Sequence, residues 1–282
     1  MLRPLTEADL PAAFALTQRI GWSHQLHDWS LHWRLGQGFA LCDDDGRLIG
    51  TIMRWPYGEH YGTVGLVIVD PDQQGRGHGR RLMDAILASA GGRTLGLAAT
   101  DAGIRLYEQT GFVRTGQIEQ WQGTVAPVTA AEVAAAAPSG LAIRPMGAAD
   151  LSTVIDLDAR ATGAPRDALL HAVWQVAVGG WVAERSGGIV GFTMVRAAGH
   201  GHTVGPLIAP DEPAAAALAT RALANLTGIA RLDIPAEATL LGTGLARVGL
   251  RCVDRVTLMR RGPAPATDPT ARCFGLASQA LG

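Results

Sequence analysis

Three glycines within six residues, Gln74-Gly75-Arg76-Gly77-His78-Gly79, follow an apolar run from Val64 to Val69 and precede a stretch with helical spacing, Arg80 to Ala90. Strand, glycine turn and helix in that order leave unpaired backbone N–H groups at a helix N-terminus, where the helix dipole favours an anion. Glycine removes the Cβ that would keep a ligand from the backbone, and Arg76, Arg80 and Arg81 add positive charge. The chemistry this suits is phosphate binding. A Walker loop needs a Lys after its last Gly, and the chain contains no lysine; the dinucleotide fingerprint needs a third Gly where Arg80 stands.

A second segment, residues 95–112, reads LGLAATDAGIRLYEQTGF: a short strand, a turn, a helix carrying Leu106-Tyr107, then Gly111-Phe112. The spacing Gln-x-x-Gly-x-Gly after Val69-Asp70-Pro71, followed at this distance by Leu-Tyr-Glu-x-x-Gly-Phe, resembles the GNAT superfamily of acyl-coenzyme A-dependent N-acyltransferases. The resemblance implies that Gln74, Gly75, Arg76, Gly77, His78, Gly79 and Arg80 hold the pyrophosphate of acetyl-coenzyme A. It further implies that the backbone of Val67, Ile68 and Val69 pairs with the pantetheine arm, and that Tyr107 is the catalytic acid. Thr100 and Asp101, just before that helix, suit an N-cap.

The reaction so implied is attack of a small-molecule primary amine on an acyl thioester, directly and in a ternary complex. An alkylammonium with a pKa near 10.4 lies about three units above neutrality, a deficit of roughly 4–5 kcal/mol, so a group must take its proton. No carboxylate lies on the strand 64–69, which leaves Glu59 and His60 as bases acting through water, or as residues of a surface turn. Residues 21–33 hold three Trp and three His in thirteen positions. Trp22, His24, Asp28, Trp29 and His60 are the acceptor-site candidates, with Asp28 able to hold an ammonium; packing of the Trp residues into the core is the competing reading. Asp28 and His32 have the i,i+4 spacing of a helical metal pair, but no third ligand suggests itself and no metal is expected. His200 and His202 read as turn residues, with facing the acceptor as the competing reading.

These groups need scaffolding, and the chain repeats its scaffold. Leu2-Arg3-Pro4…Asp9-Leu10 returns as Ile143-Arg144-Pro145…Asp150-Leu151, and GRLIGTIMR (46–54) as GGIVGFTMVR, with Gly50 on Gly191 and Met53 on Met194. Thr63-Val64-Gly65 falls on Thr203-Val204-Gly205, and Gly111 on Gly249. Order is kept while the offset drifts slowly, as in a duplicated unit. The expected fold is α/β (α+β): two tandem GNAT folds, each a mixed, mostly antiparallel twisted sheet flanked by helices. The expected boundaries are 1–125 for a catalytic N-terminal domain, 126–140 for a linker, 141–262 for a degenerate C-terminal domain resembling the holothin-acyltransferase type, and 263–282 for a tail docked on a domain. In the second copy the glycine loop becomes Pro213-Ala214-Ala215-Ala216-Ala217-Leu218 behind Asp211 and Glu212, and Tyr107 maps to Leu245. Side chains and negative charge then stand where a diphosphate would lie.

Composition sets the frame. At 282 residues, 48% hydrophobic and 17% charged, the chain can bury two cores. A net charge of −1 offers no field for nucleic acid. Three widely spaced cysteines, Cys42, Cys252 and Cys273, argue against a disulfide framework and for a reducing compartment. No stretch is long enough to span a bilayer and no signal-peptide pattern opens the chain, so a cytoplasmic enzyme is expected, with a homodimer allowed. A non-catalytic acyl-coenzyme A sensor, or an enzyme using a longer acyl group, remains the alternative.

Overall fold

The computed structural model describes residues 1–282. The first half runs β1 (Leu2–Pro4), α1 (Leu10–Arg19), α2 (Leu26–Leu35), β2 (Gln37–Cys42), β3 (Leu48–Tyr57), β4 (Tyr61–Val69), α3 (His78–Ala88), β5 (Thr94–Ala99), α4 (Asp101–Gln109) and β6 (Val113–Thr124). A short helix, α5 (Ala130–Ala136), interrupts the connection; Thr129 caps it by accepting the Glu132 N–H while the Glu132 carboxylate accepts the Thr129 N–H. The second half repeats the order with β7 (Ala142–Pro145), α6 (Leu151–Thr162), α7 (Asp167–Val176), β8 (Ala177–Arg185), β9 (Gly188–Ala198), β10 (Gly201–Ala209), α8 (Glu212–Leu223), β11 (Ile229–Pro235), α9 (Thr239–Arg247) and β12 (Arg251–Arg261). β13 (Arg272–Gly275) follows. No helix is long and apolar enough to cross a membrane.

Duplication is visible at the level of single contacts. Arg3 donates to both oxygens of Asp9 at 2.7 Å, and Asp9 accepts the Thr6 N–H at 2.8 Å. Arg144 and Asp150 repeat the fork at 2.7 and 2.9 Å, with the Gly147 N–H at 2.8 Å. A Cβ on Gly50 would sit 2.9 Å from the Ile68 carbonyl and 3.2 Å from Leu82; on Gly191 it would sit 2.8 Å from the Ile208 carbonyl and 3.2 Å from Leu218. Each glycine lets the helix after the central strand pack against the sheet.

All thirteen strands form one mixed sheet, in the order β1-β2-β3-β4-β5-β12-β6-β11-β10-β9-β8-β7, with β13 beside β10. The last strand of each half is exchanged. β12 pairs antiparallel with β5, from Thr257 opposite Ala99 to Arg261 opposite Leu95, while β6 pairs with β11, from Ile118 opposite Pro235 to Thr124 opposite Ile229. Spatially, then, the front unit closes with a strand from beyond residue 250, and boundaries at 125 and 141 cut across both units. The pairing is mostly antiparallel, the exceptions being β4 with β5 and β10 with β11.

The two parallel pairs also splay. β4 meets β5 only over Tyr61–Thr63, and β10 meets β11 only at His202 and Thr203. In the rear half the gap is filled: β13 runs antiparallel along Leu207–Ala209, and the Leu276 N–H donates to the Asp233 carbonyl on β11 at 3.0 Å. In the front half no strand enters it.

The exchange predicts how the chain responds to being cut. Fragments 1–126 and 127–282, expressed apart, should be aggregation-prone, because β5 loses its partner strand and β11 loses β6; co-expressed, they should copurify as one 1:1 particle. Size-exclusion chromatography with mass detection checks this, and a soluble, cooperatively unfolding monomer of 1–126 would contradict it.

Candidate active site

One cavity of about 410 Å³ lies where the halves meet. Its front wall is Val64, Gly65, Leu66 and Val67 of β4, facing Ala98, Thr100 and Tyr107 across the splay. At the bulge Leu66 and Val67 stand against the single residue Ile52, between the pairs Gly65–Met53 and Ile68–Thr51. Leu66 takes φ = 49°, a left-handed conformation unusual for leucine, and its carbonyl is held by the Thr51 hydroxyl at 2.8 Å. The bulge breaks the ladder with β3 just where the neighbour on the other side, β5, has already turned away. Ile68 is buried in the front core, so any ligand contact it makes is through its backbone.

Beyond β4 the glycine loop turns with φ = 77° at Gly75 and 80° at Gly77, and a Cβ at either would meet nothing within 4 Å. That combination describes a loop open to a ligand on its Cβ side. Gly77 supplies no side-chain cap to α3, so the first-turn amides are left free. The Gln74 side-chain amide donates to the Val69 carbonyl at 3.2 Å and ties the loop to the strand end. Arg80 is paired with Asp84 at 2.7 Å, while Arg76 makes no ion pair. His78 keeps a buried Nδ1 with no partner.

The corresponding helix entrance in the rear half is closed chemically as well as sterically. Asp211 caps α8 by accepting the Ala214 N–H at 2.9 Å, Glu212 accepts the Leu241 N–H at 2.9 Å, and Ala214 and Ala215 are fully buried. With the donors already satisfied, an anion has nothing to bind.

Tyr107 projects from α4 into the cavity beside Gly103, where a Cβ would come within 2.7 Å of its ring. Burial pushes its hydroxyl pKa up to about 12. The Tyr107 ring packs edge-on against Phe112 at 6.2 Å.

The acceptor-side expectations divide. Trp22, His24 and Asp28 line the cavity; Trp29 and His60 do not. Trp29 is fully buried in the core. Glu59 and His60 sit on the exposed turn before β4, six residues or roughly 20 Å of strand from the bulge. They are too far away to serve the thioester as base. Asp28 does not wait for an ammonium either. Its carboxylate accepts the Gln25 N–H at 2.8 Å and the Gly199 N–H at 2.9 Å, and faces Arg196 of β9 at 3.3 Å. Burial opposes its charge, but those amide bonds and the guanidinium outweigh it and hold its pKa below the ordinary carboxylate value.

His24 and His32 are held neutral, His24 at about 3 and His32 at about 4, chiefly by burial. The His32 Nδ1–H donates to the Asp28 carbonyl at 2.6 Å, leaving Nε2 to accept from the Ser278 hydroxyl at 3.3 Å. His200 and His202, read from sequence as turn residues, both face the cavity. The remaining wall comes from the rear half and the exchanged strands: Gln120 and Gln122 of β6, Arg231 and Asp233 of β11, Asp254 of β12, and Gln279 of the tail. Their place in the sequence carried no signal, because they come together only where the exchanged strands join the two halves. The unusual density of glutamine in Gln117–Gln122 was the one available hint.

Comparison with known proteins agrees with this fold. A family described as "Acetyltransferase (GNAT) domain" matches residues 36–114, and a second family with the same description matches residues 154–275. A relative from Bacillus subtilis (strain 168), described as the uncharacterized N-acetyltransferase YitH, is 28% identical over 99% of this chain and 97% of its own. A crystal structure from Pyrococcus horikoshii, assigned as an acetyltransferase, superposes with a TM-score of 0.78 at 18% identity, covering 100% of this chain and 95% of that one. A tandem GNAT protein from the clavulanic acid biosynthesis pathway superposes with a TM-score of 0.61 at 16% identity, covering 94% and 99%.

The neutral histidines make stability depend on pH. An unfolded imidazole titrates near 6.5, so below that pH the unfolded chain binds protons that His24 and His32 refuse, and stability falls as pH falls. Between pH 7 and pH 5 the loss is roughly 2 kcal/mol per imidazole. Urea unfolding at the two pH values should show the drop, and His32→Gln should remove about half of it; equal midpoints at pH 7 and pH 5 would contradict the burial argument.

Proposed function

We propose, from the premise that this chain belongs to the GNAT N-acetyltransferases in their tandem form, that its front half moves the acetyl group of acetyl-coenzyme A onto a small-molecule primary amine held between the halves. Family membership implies an acyl-coenzyme A co-substrate. The observation that carries the rest is the unpaired stretch of β4, which joins the bulge at Leu66 to an open glycine loop along one continuous edge.

In this reading the free amides of the α3 entrance hold the diphosphate with Arg76 close by. The β4 edge, Val67 to Val69, receives the amides of the pantetheine arm as an added strand. The thioester then lies at the bulge, opposite Tyr107. The acceptor nitrogen attacks the thioester carbon, a C–N bond forms, and the C–S bond breaks. The ammonium gives up one proton before attack and the new amide a second, and the departing sulfur takes one back. Burial raises the Tyr107 phenol and so disfavours its full ionisation at the moment of attack. Tyr107 therefore acts first as a hydrogen-bond donor to the sulfur, and the proton follows as charge builds there.

The rear half takes no second co-substrate in this scheme, since β13 occupies its splay and Asp211 its helix entrance. Isothermal titration with acetyl-coenzyme A should give one site per chain; two equivalent sites would refute the assignment of a single catalytic half. Gly77→Val, forced into a conformation that a β-branched residue disfavours, should weaken acetyl-coenzyme A binding at least tenfold. Tyr107→Phe should lower kcat ten- to a hundredfold and leave that affinity within twofold. Thiol release unchanged in Tyr107→Phe would remove the tyrosine from the reaction.

A further inference from the structure

The bulge at Leu66 turns one peptide against the rule of its strand. Along a strand, the N–H and C=O groups of successive residues point alternately toward the two neighbouring strands. In β4 the phase before the bulge is fixed by His60, whose carbonyl accepts the Thr94 N–H of β5 at 2.9 Å. Counting forward in twos, Gly62, Val64 and Leu66 face β5. The phase after the bulge is fixed by Asp70, whose N–H donates to the Ile49 carbonyl of β3 at 2.8 Å. Counting back, Ile68 faces β3, while Val69 and Val67 face the splay.

Carried on unbroken, the first phase would aim the Leu66 carbonyl at the splay as well. It does not go there. The Thr51 hydroxyl of β3 donates to it at 2.8 Å, and Thr51 is fully buried. A trans peptide is planar, with its carbonyl and its N–H on opposite sides. A Leu66 carbonyl held toward β3 therefore sets the next N–H, that of Val67, facing the splay, in agreement with the count from Asp70. Leu66 takes φ = 49° here, a conformation that persists in leucine only where its surroundings impose it.

The rear half provides a contrast within the same chain. At the offset that sets Gly50 on Gly191, Thr51 falls on Phe192, and the registers agree: Thr51 stands opposite Ile68, and Phe192 opposite Ile208. Phe192 has no hydroxyl. The rear bulge is Gly205 and Pro206, between the pairs Val204–Val195 and Leu207–Thr193, and proline has no N–H. The half whose splay is filled by β13 thus lacks both the buried hydroxyl and the second amide of the bulge. The half whose splay is open has both.

We propose that Thr51 is a positioning residue for acyl transfer: its hydroxyl turns the Leu66–Val67 peptide so that the Val67 N–H, and not the Leu66 carbonyl, faces the thioester oxygen. This rests on the acetyltransferase reading, which lays the thioester at the bulge, and deepens it. The sign of the dipole decides the effect. A carbonyl aimed at the thioester oxygen would repel the charge developing there, whereas an N–H stabilises it, most strongly in the tetrahedral intermediate. Thr51 touches neither substrate and makes or breaks no covalent bond; the bonds exchanged are those given above.

The test uses the full-length protein and acetyl-coenzyme A isotope-labelled at the acetyl carbonyl carbon. Subtracting the infrared spectrum of the unlabelled complex isolates the stretching band of that carbonyl. A carbonyl that accepts a hydrogen bond absorbs at lower frequency, so binding to the wild type should move the band down. Thr51→Val, which keeps the shape without the hydroxyl, should lose at least half of the shift, and Thr51→Ser should keep it. All three should bind acetyl-coenzyme A within threefold of one another by titration. Urea midpoints show whether each variant is folded, and Thr51→Ala takes the place of the valine variant if that one does not fold. A full shift in Thr51→Val overturns the positioning role, and so do equal losses in the valine and serine variants or an unshifted band in the wild type; each of these leaves the acetyltransferase reading standing. Failure of the wild type to bind acetyl-coenzyme A removes both.

Discussion

The seating of β12 between β5 and β6 is the constraint from which the site follows. A strand edge must satisfy its backbone N–H and C=O groups somewhere. Here each half satisfies its last edge with the other half's final strand, so the sheet runs unbroken from β1 to β7. The two halves are therefore not neighbours joined by a linker. They share the ladder β5-β12-β6-β11, and the residues that ladder carries, Gln120, Gln122, Asp233 and Asp254, become the inner wall of the cavity. The buried pair Asp28–Arg196 fastens the same junction from the helical side. Removing either partner alone would leave a buried charge uncompensated, typically a loss of 3–5 kcal/mol.

The same fold answers the problem of the splayed strands in two ways. Where two parallel strands diverge, backbone groups on both lose their partners, and burial without a substitute is costly. The rear half supplies the substitute from within the chain, as β13 and the Leu276 N–H. The front half leaves the edge of β4 open and continues it into a glycine turn that has no cap of its own. The rear splay is thereby closed. The tail, having filled that gap, goes on to place Ser278 and Gln279 in the cavity, and the Leu281 carbonyl accepts the Tyr57 hydroxyl at 2.7 Å. Degeneration of the second copy thus contributes a wall to the site of the first.

What could be read from the amino-acid order was whatever depends on local spacing. The glycine loop, the helix bearing Tyr107, the duplicated Arg3–Asp9 and Arg144–Asp150 forks and the alanine-filled second loop all involve residues near one another in the chain. The expected mixed, mostly antiparallel pairing in two similar halves is present, but the two expected sheets are joined into one. The exchange was not legible, because β6 and β12 have the same hydropathy pattern whichever β5-like strand they join. Arg196, Arg231 and Gln279 were missed with it. Leu66 was missed for a different reason: a bulge that puts leucine at φ = 49° leaves no compositional mark. Asp28 was assigned to a ligand because its type fits one, whereas its partner, Arg196, lies 168 residues away. His60 was assigned on closeness in sequence to β4, and strand geometry places it at the wrong end.

The electrostatics of the cavity bear on how a proton leaves the amine. Both inner carboxylates are tied to arginines, and His24 and His32, held near 3 and 4, have little affinity for a proton at neutral pH. Neither imidazole holds a proton at neutral pH, so a proton released in this part of the cavity passes to another lining group or outward past the rim at Asp254.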